Sequence, residues 1–199
     1  REILVGSTEM HGHIYRSMID GQDWEDTNAP LNAVTAIAFH PWNPQTMYAG
    51  LFNEITREGG FYHLDNSGKW KEMKLDSTAD VATHPITTIV VNPADTLKIL
   101  VGTERGLYIT NNGGKRWERT LDSFHIASII IDQESPDKGI IVATRGRSRS
   151  DGIWYSKDGG NEWQVLSWMT DIVGLVRATN FLSLAPWTRW HYFMAVKGR

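Results

Sequence analysis

Short apolar and aromatic runs alternate along this chain with polar, glycine-bearing stretches, and the alternation recurs in a fixed order. The first run of each repeat is almost continuously apolar and ends near a proline or an acidic residue: 35–41, 87–93, 128–132 and 182–186. Such runs predict strands covered on both faces, because a half-exposed strand alternates polar with apolar residues. The second run is aliphatic and often ends in glycine: 3–6, 47–50, 99–102, 140–143 and 193–196. The third is a short aromatic strand, Ile14-Tyr15, Phe61-Tyr62, Leu107-Tyr108 and Ile153-Trp154. It leads into a polar octet ending in tryptophan, where a fourth, increasingly polar strand begins: 24–26, 70–73, 117–119 and 163–165. Polarity that rises toward the last strand suits a sheet edge in water.

The octets are 17–24, 63–70, 110–117 and 156–163, and Trp24, Trp70, Trp117 and Trp163 follow one another at intervals of 46, 47 and 46 residues. A polar run with Asp-Gly or Asn-Gly between two apolar strands predicts a tight hairpin, since glycine reaches positive φ without steric cost. Hydroxyl, carboxylate and amide side chains in such a bend bond backbone N–H groups that the ladder leaves unpaired. The tryptophan has the area to fill the gap between neighbouring sheets.

Four antiparallel strands per period of about 46 residues describe a blade of a β-propeller; a β-sandwich has no such long-period register. The expected fold is all-β, with about four blades in this chain. Residues 1–28 supply strands two to four of one blade, 29–78, 79–123 and 124–170 whole blades, and 171–199 the first two strands of another. An open arc exposes apolar blade faces at a cost of about 25 cal/mol per Å². A covering partner is therefore expected: another protein chain, further blades of the same protein, or a small ring closed by the two ends.

At 199 residues and 41% hydrophobic content the chain can bury the core of one domain. The net charge of −3 is spread over both signs, which speaks against a nucleic-acid partner. With no cysteine there is no disulfide framework, thiolate nucleophile or cysteine-held metal. No apolar run approaches the roughly 18 residues of a membrane-spanning helix. The first residue, Arg1, is not methionine, as in a cleaved or partial product, and an extracellular or periplasmic location is expected.

The octets resemble the Asp-box, or bacterial neuraminidase repeat, S/T-x-D-x-G-x-x-W. Ser156, Asp158, Gly160 and Trp163 match every defined position; Thr110, Asn112, Gly114 and Trp117 match with Asn for Asp. Ser17, Asp20, Gly21 and Trp24 shift the Asp by one place, and Asp65, Gly68 and Trp70 lose the hydroxyl and displace the glycine. The chain is most similar to the divergent-repeat kind found in sortilin-type receptors, endo-xyloglucanases and the photosystem II assembly factor. The resemblance implies a propeller, and its members include binding proteins, assembly factors and glycosidases, so fold does not decide function.

Function is expected on the irregular loops, with the octets holding the blades. Candidate charged residues are Glu9, His11, Glu54, Arg57, Glu58, Glu104, Arg105, Arg145, Arg147, Arg149 and Asp151. Arg145, Arg147 and Arg149 could clamp a carboxylate; sialidases with this repeat use arginines from different blades, so three on one loop departs from that pattern. Glu54 or Glu58 with Glu104 could serve as acid and base in glycoside hydrolysis, against the plainer reading of solvated loop carboxylates. His11-Gly12-His13 lacks a third ligand nearby, and the calcium-like runs at 65–68 and 111–113 are explained by turn capping, so neither metal nor cofactor is expected. The aromatic-rich segment from 167 to 181, with Trp168 in it and Trp187 and Trp190 beyond, is either a docking surface or an inter-blade loop. The favoured expectation is a non-catalytic protein-interaction propeller, a scaffold or accessory subunit. The alternative is a glycan-binding or glycan-cleaving module.

Overall fold

The computed structural model describes residues 3–8, 11–30, 32–75, 84–131, 139–145, 152–168, 172–177 and 192–196. Among these residues there are seventeen strands and no helix. β1 (Ile3–Gly6), β2 (Ile14–Ser17) and β3 (Glu25–Asp26) form a three-stranded sheet in that order. β4 (Ala33–His40), β5 (Asn43–Asn53), β6 (Glu58–Leu64) and β7 (Trp70–Met73) form a four-stranded antiparallel sheet. The third sheet repeats this with β8 (Ile86–Val91), β9 (Ile99–Thr103), β10 (Gly106–Thr110) and β11 (Glu118–Thr120). The fourth comprises β12 (His125–Ile131), β13 (Ile140–Arg145), β14 (Gly152–Ser156) and β15 (Gln164–Trp168). Last come β16 (Ile172–Arg177) and β17 (Tyr192–Val196), a pair that runs parallel.

That last pair differs from the sequence reading, which puts the first strand of the final blade at 182–186, a stretch outside the described residues. The strand that pairs is 172–177. It shares a backbone feature with the first strand of each preceding four-stranded sheet, a register break just after a β-branched residue: Val34/Ala36, Ile86/Thr88, Ile126/Ser128 and here Ile172/Gly174. A parallel pair cannot be closed by a two-residue hairpin and requires a long crossover.

The sheets stack face to face through alternate residues of each strand, as period-two geometry requires. On β9, Ile99 and Val101 face back toward the second sheet, where with Tyr108 and with Ile86, Ile89 and Val91 of their own sheet they meet Tyr48 and Phe61. Leu100 faces forward and, with Leu107 and Ile109, meets Ile126, Ile129, Ile131, Ile140 and Val142 of the fourth sheet. Between the first two sheets Ile14 meets Val34, Met47, Ala49 and Leu64, with Leu4 packed alongside. The glycines that end the first three of the second runs explain themselves here. A Cβ on Gly50 would lie 2.6 Å from Ile86 Cβ, one on Gly102 2.7 Å from Ile126 Cγ2, and one on Gly6 2.5 Å from Val34 Cγ1. The first β-branched residue of each following sheet is thus a knob seated on the glycine before it.

The octet turns are built as their side chains predict. Ser156 Oγ accepts from Gly160 N at 2.8 Å and donates to Asp158 Oδ1 at 2.8 Å, while that carboxylate accepts from Asn161 N and Glu162 N at 3.0 Å each. Bonds from the Glu162 N–H and then Ser156 hold the Asp158 carboxyl below the usual range. Thr110 and Asn112 repeat the arrangement, with Gly114 N to Thr110 Oγ1 at 3.0 Å and Arg116 N to Asn112 Oδ1 at 2.9 Å.

Two octets correct the sequence reading. In the first, the carboxylate bonded to Ser17 Oγ (3.0 Å) and Ile19 N (3.0 Å) is Asp23, while Asp20 stands at φ 46, where the later octets have glycine. A carboxylate at the far side of the turn reaches the same hydroxyl but another backbone donor, the Ile19 N–H rather than the counterparts of the Asn161 and Glu162 N–H groups, so the motif's spacing misleads. In the second, Leu64 takes the hydroxyl's place, opposite Met47, as Thr110 is opposite Ile99 and Ser156 opposite Ile140. His63 instead lies within β6, stacked on Tyr48 at 5.0 Å, and burial pushes its imidazole pKa down. This turn is one residue shorter and closes on Asp65, whose carboxylate takes Lys71 Nζ at 2.5 Å and Ser67 N at 2.9 Å and is held well below the ordinary range by them. Gly68 completes it at φ 72.

The tryptophans of the second, third and fourth octets reach back to the preceding sheet. Trp70 Nε1 donates to Thr27 O at 2.9 Å and Trp163 Nε1 to Thr120 Oγ1 at 2.8 Å. Both threonines stand three residues after the preceding octet's tryptophan. At the remaining such place the residue is Met73, and buried Trp117 Nε1 has no acceptor among the described residues; its ring packs edge-on against Phe61 at 5.7 Å.

Candidate functional site

Because the strands alternate in direction, the connections from the second to the third strand of each sheet share one end of the stack, opposite the octets. They are 7–13, 54–57, 104–105 and 146–151. The second and third fall among the described residues, as do 7–8 and 11–13 of the first, and each of the three is closed by its own polar side chains.

In the first, Ser7 N donates to His13 O at 3.0 Å, Ser7 Oγ accepts from His13 N at 3.1 Å, and Ser7 O accepts from Val34 N at 3.0 Å, which ties the loop to the next sheet. His13 Nδ1 lies 2.7 Å from Asp26 Oδ2, and its ring stacks on Tyr15 at 5.8 Å. In the second, Asn53 Oδ1 accepts from Ile55 N at 2.9 Å and Thr56 N at 3.1 Å. Arg57 sits at φ 59 with its guanidinium 5.1 Å from the Phe52 ring centre. In the third, Thr103 Oγ1 accepts from Arg105 N at 3.1 Å and donates to Gly106 O at 3.0 Å. Arg105 O then accepts from Ser123 N and Arg119 Nη2, both at 2.9 Å, while Arg119 Nη2 also lies 2.6 Å from Asp122 Oδ1.

Each of these loops carries its own sequence-predicted residues. His11, Glu54, Arg57, Glu58 and Arg105 are exposed and Glu104 is half-buried. Among the described residues, none of the charged members of this set forms an ion pair with another residue. Arg145 closes β13 opposite His125, and Trp168 closes β15 opposite Gly152. Glu9, Arg147, Arg149, Asp151, Trp187 and Trp190 lie outside the described residues. No group of three or more His, Asp or Glu among the described residues could hold a metal ion.

The groups the fold does bring together at this end are His13 with Asp26, and Arg119 with Asp122 beneath the Arg105 carbonyl. Sequence reasoning passed over Asp26, Arg119 and Asp122. The available signal was strand pairing: Tyr15 opposite Asp26 and Tyr108 opposite Arg119 place these residues one strand away from the loops. A polar pocket of about 280 Å³ lies nearer the octet end, between the outer strands of the third sheet and the fourth octet, with Lys98, Glu118, Arg119 and Asp158 among its lining residues.

No family model matches the sequence, and no curated protein matches it. Solved structures do match. An ancestral GH74 enzyme aligns with a TM-score of 0.62 at 19% identity, over 81% of this chain and 22% of that one. The extracellular domain of a one component system from B. thetaiotaomicron aligns with a TM-score of 0.61 at 15% identity, over 96% of this chain and 23% of that one. YCF48 bound to D1 peptide aligns with a TM-score of 0.53 at 15% identity, over 80% of this chain and 48% of that one. The chain thus spans between about a fifth and a half of the proteins it resembles. At these identities the likeness concerns fold alone, and it agrees with the stacked four-stranded sheets: the chain is a run of β-propeller blades.

Proposed function

We propose that this chain is a non-catalytic interaction propeller, an accessory or assembly module whose first sheet is completed by another protein chain or by further blades. The observation that carries this reading is the back face of the first sheet. By strand register Ile3, Val5 and Tyr15 correspond to Ile99, Val101 and Tyr108, since Ile3 pairs with Ser17 as Ile99 pairs with Thr110, and Val5 with Tyr15 as Val101 with Tyr108. The third-sheet residues are 0, 0 and 1% exposed; the first-sheet residues are 37, 48 and 40% exposed, and Trp24, the counterpart of Trp117, is 47% exposed. Covering what each leaves open is worth roughly 1 kcal/mol per side chain. Beside them, among the described residues, β1 pairs only with β2, and its Ile-Leu-Val-Gly run has none of the charges or prolines that blunt an edge strand.

The octet hydrogen bonds support placing the chain with the Asp-box propellers, and the likeness to an extracellular domain supports an extracellular or periplasmic setting. The alternative, a glycan-binding or glycan-cleaving module, has the fold of the GH74 enzyme in its favour. Its acid and base must face each other roughly 5 to 10 Å apart, whereas Glu54 and Glu58 are solvated on an exposed turn. The test sizes the purified chain by light scattering over a range of concentrations and counts reducing ends after incubation with soluble β-glucans. Concentration-dependent association without new reducing ends is expected. A compact monomer at every concentration would remove the need for a partner, and release of reducing ends would overturn the non-catalytic reading.

A further inference from the structure

The interface between the second and third sheets lacks one component that its neighbours have. Trp70 and Trp163 each hand their indole N–H to the residue standing three places after the preceding octet tryptophan, Trp70 to the main-chain carbonyl of Thr27 and Trp163 to the hydroxyl of Thr120. Met73 occupies that place before Trp117. Its side chain packs against the same core cluster as Trp117. A Cβ built on Gly114 would lie 2.0 Å from Met73 Cε, 3.7 Å from its Sδ and 3.5 Å from Trp117 Cζ2, so sulfur, turn and indole share one small space. A thioether is a weak acceptor, and Trp117 Nε1 stays buried and unbonded among the described residues. Met73 is only half-buried, which leaves it open to a small oxidant, whereas Met47 is fully buried.

We propose that Met73 is an oxidation site, and that its sulfoxide supplies the acceptor this interface lacks, so that oxidation tightens the junction between the second and third blades. The co-reactant is a hydroperoxide, hydrogen peroxide in the simplest case. A sulfur lone pair attacks one peroxide oxygen, the O–O bond breaks, and that oxygen stays on sulfur. The departing hydroxide takes up the proton released and leaves as water. Sulfur loses two electrons and the peroxide gains them. The product carries a strongly polar S–O group, placed by the repeat where Thr120 Oγ1 meets Trp163 in the next interface. Oxidation of a core methionine ordinarily weakens packing; here the gain of one buried hydrogen bond reverses the sign. The inference stands on the fold and is independent of what the loop face binds.

The experiment treats the whole chain with hydrogen peroxide, confirms Met73 oxidation by peptide mass, and compares urea unfolding with that of Met73→Leu, which keeps the packing and cannot be oxidised. Treated wild type should shift its unfolding equilibrium toward the native state by roughly five- to tenfold relative to treated Met73→Leu, the effect of one net hydrogen bond. The Trp117 indole N–H resonance should move downfield and exchange more slowly on oxidation, and Trp117→Phe should abolish the gain. Oxidised Met73 with an unmoved Trp117 resonance, or with stability equal to or below that of treated Met73→Leu, would overturn the proposal.

Discussion

Replacing Trp163 and Trp117 separately by phenylalanine isolates the hydrogen bond in the inter-blade contact, because both changes trim the same indole to the same ring. Trp163 Nε1 donates to Thr120 Oγ1 at 2.8 Å and lies 3.0 Å from Gly160 O. Removing it forfeits about 1 kcal/mol of net hydrogen bonding and leaves a partly buried acceptor to be satisfied by other means. Loss of roughly 50 Å² of ring area, about half of it buried, adds about 0.6 kcal/mol at 25 cal/mol per Å². Trp163→Phe should therefore cost about 2 kcal/mol. Trp117→Phe loses similar area but removes a buried donor with no acceptor among the described residues, a relief of about 1 kcal/mol or more. Its edge contact with Phe61 survives as a phenyl–phenyl contact, and the net change should lie near zero. Equilibrium urea unfolding followed by circular dichroism gives both values. Equal destabilisation of the two variants, within about 0.5 kcal/mol, would refute the claim that the threonine acceptor distinguishes the two interfaces.

Gly102→Ala should destabilise by about 1–3 kcal/mol through overpacking against Thr88 and Ile126. Gly68→Ala has nothing within 4 Å but holds φ 72, so about 1 kcal/mol should be lost to the backbone alone; thermal melts separate the two. Asp158 has a folded pKa below its unfolded value, so its contribution is present above about pH 4 and is lost as pH falls through the folded pKa. Asp158→Asn, which copies Asn112 of the third octet, should be less stable than wild type at pH 7. The gap should narrow steadily below pH 4 in acid titrations monitored by fluorescence, and a gap that widens there would contradict the assignment.

What the sequence discloses is governed by how locally each feature is determined. The four octet tryptophans and the glycine-ended strands fix the stacked sheets, because each turn is closed by residues within its own octet. Asp23 stands on the far side of the turn from the motif position, and that its carboxylate meets the Ser17 hydroxyl and the Ile19 N–H is visible only in coordinates. The shortened second octet was misaligned for a related reason: counting back from Trp70 lands on His63, whereas strand register puts Leu64 in the hydroxyl's place. His13 with Asp26, and Arg119 with Asp122, depend on strand pairing and a turn, which a charge count does not capture. The glycine knobs are likewise tertiary. Gly50 and Gly102 read as strand ends in sequence, and their reason lies in Ile86 and Ile126 of the following sheet.

The sheets stack as blades, and the first exposes the face that the third buries. With no cysteine in the chain, Val5→Cys and Val101→Cys place single thiols at register-equivalent positions, one half-exposed and one fully buried. Their labelling rates in native buffer are the most direct test. Val5→Cys should react at least roughly a hundredfold faster than Val101→Cys, which labels only as the chain opens; equal rates at the two positions would overturn the stacking.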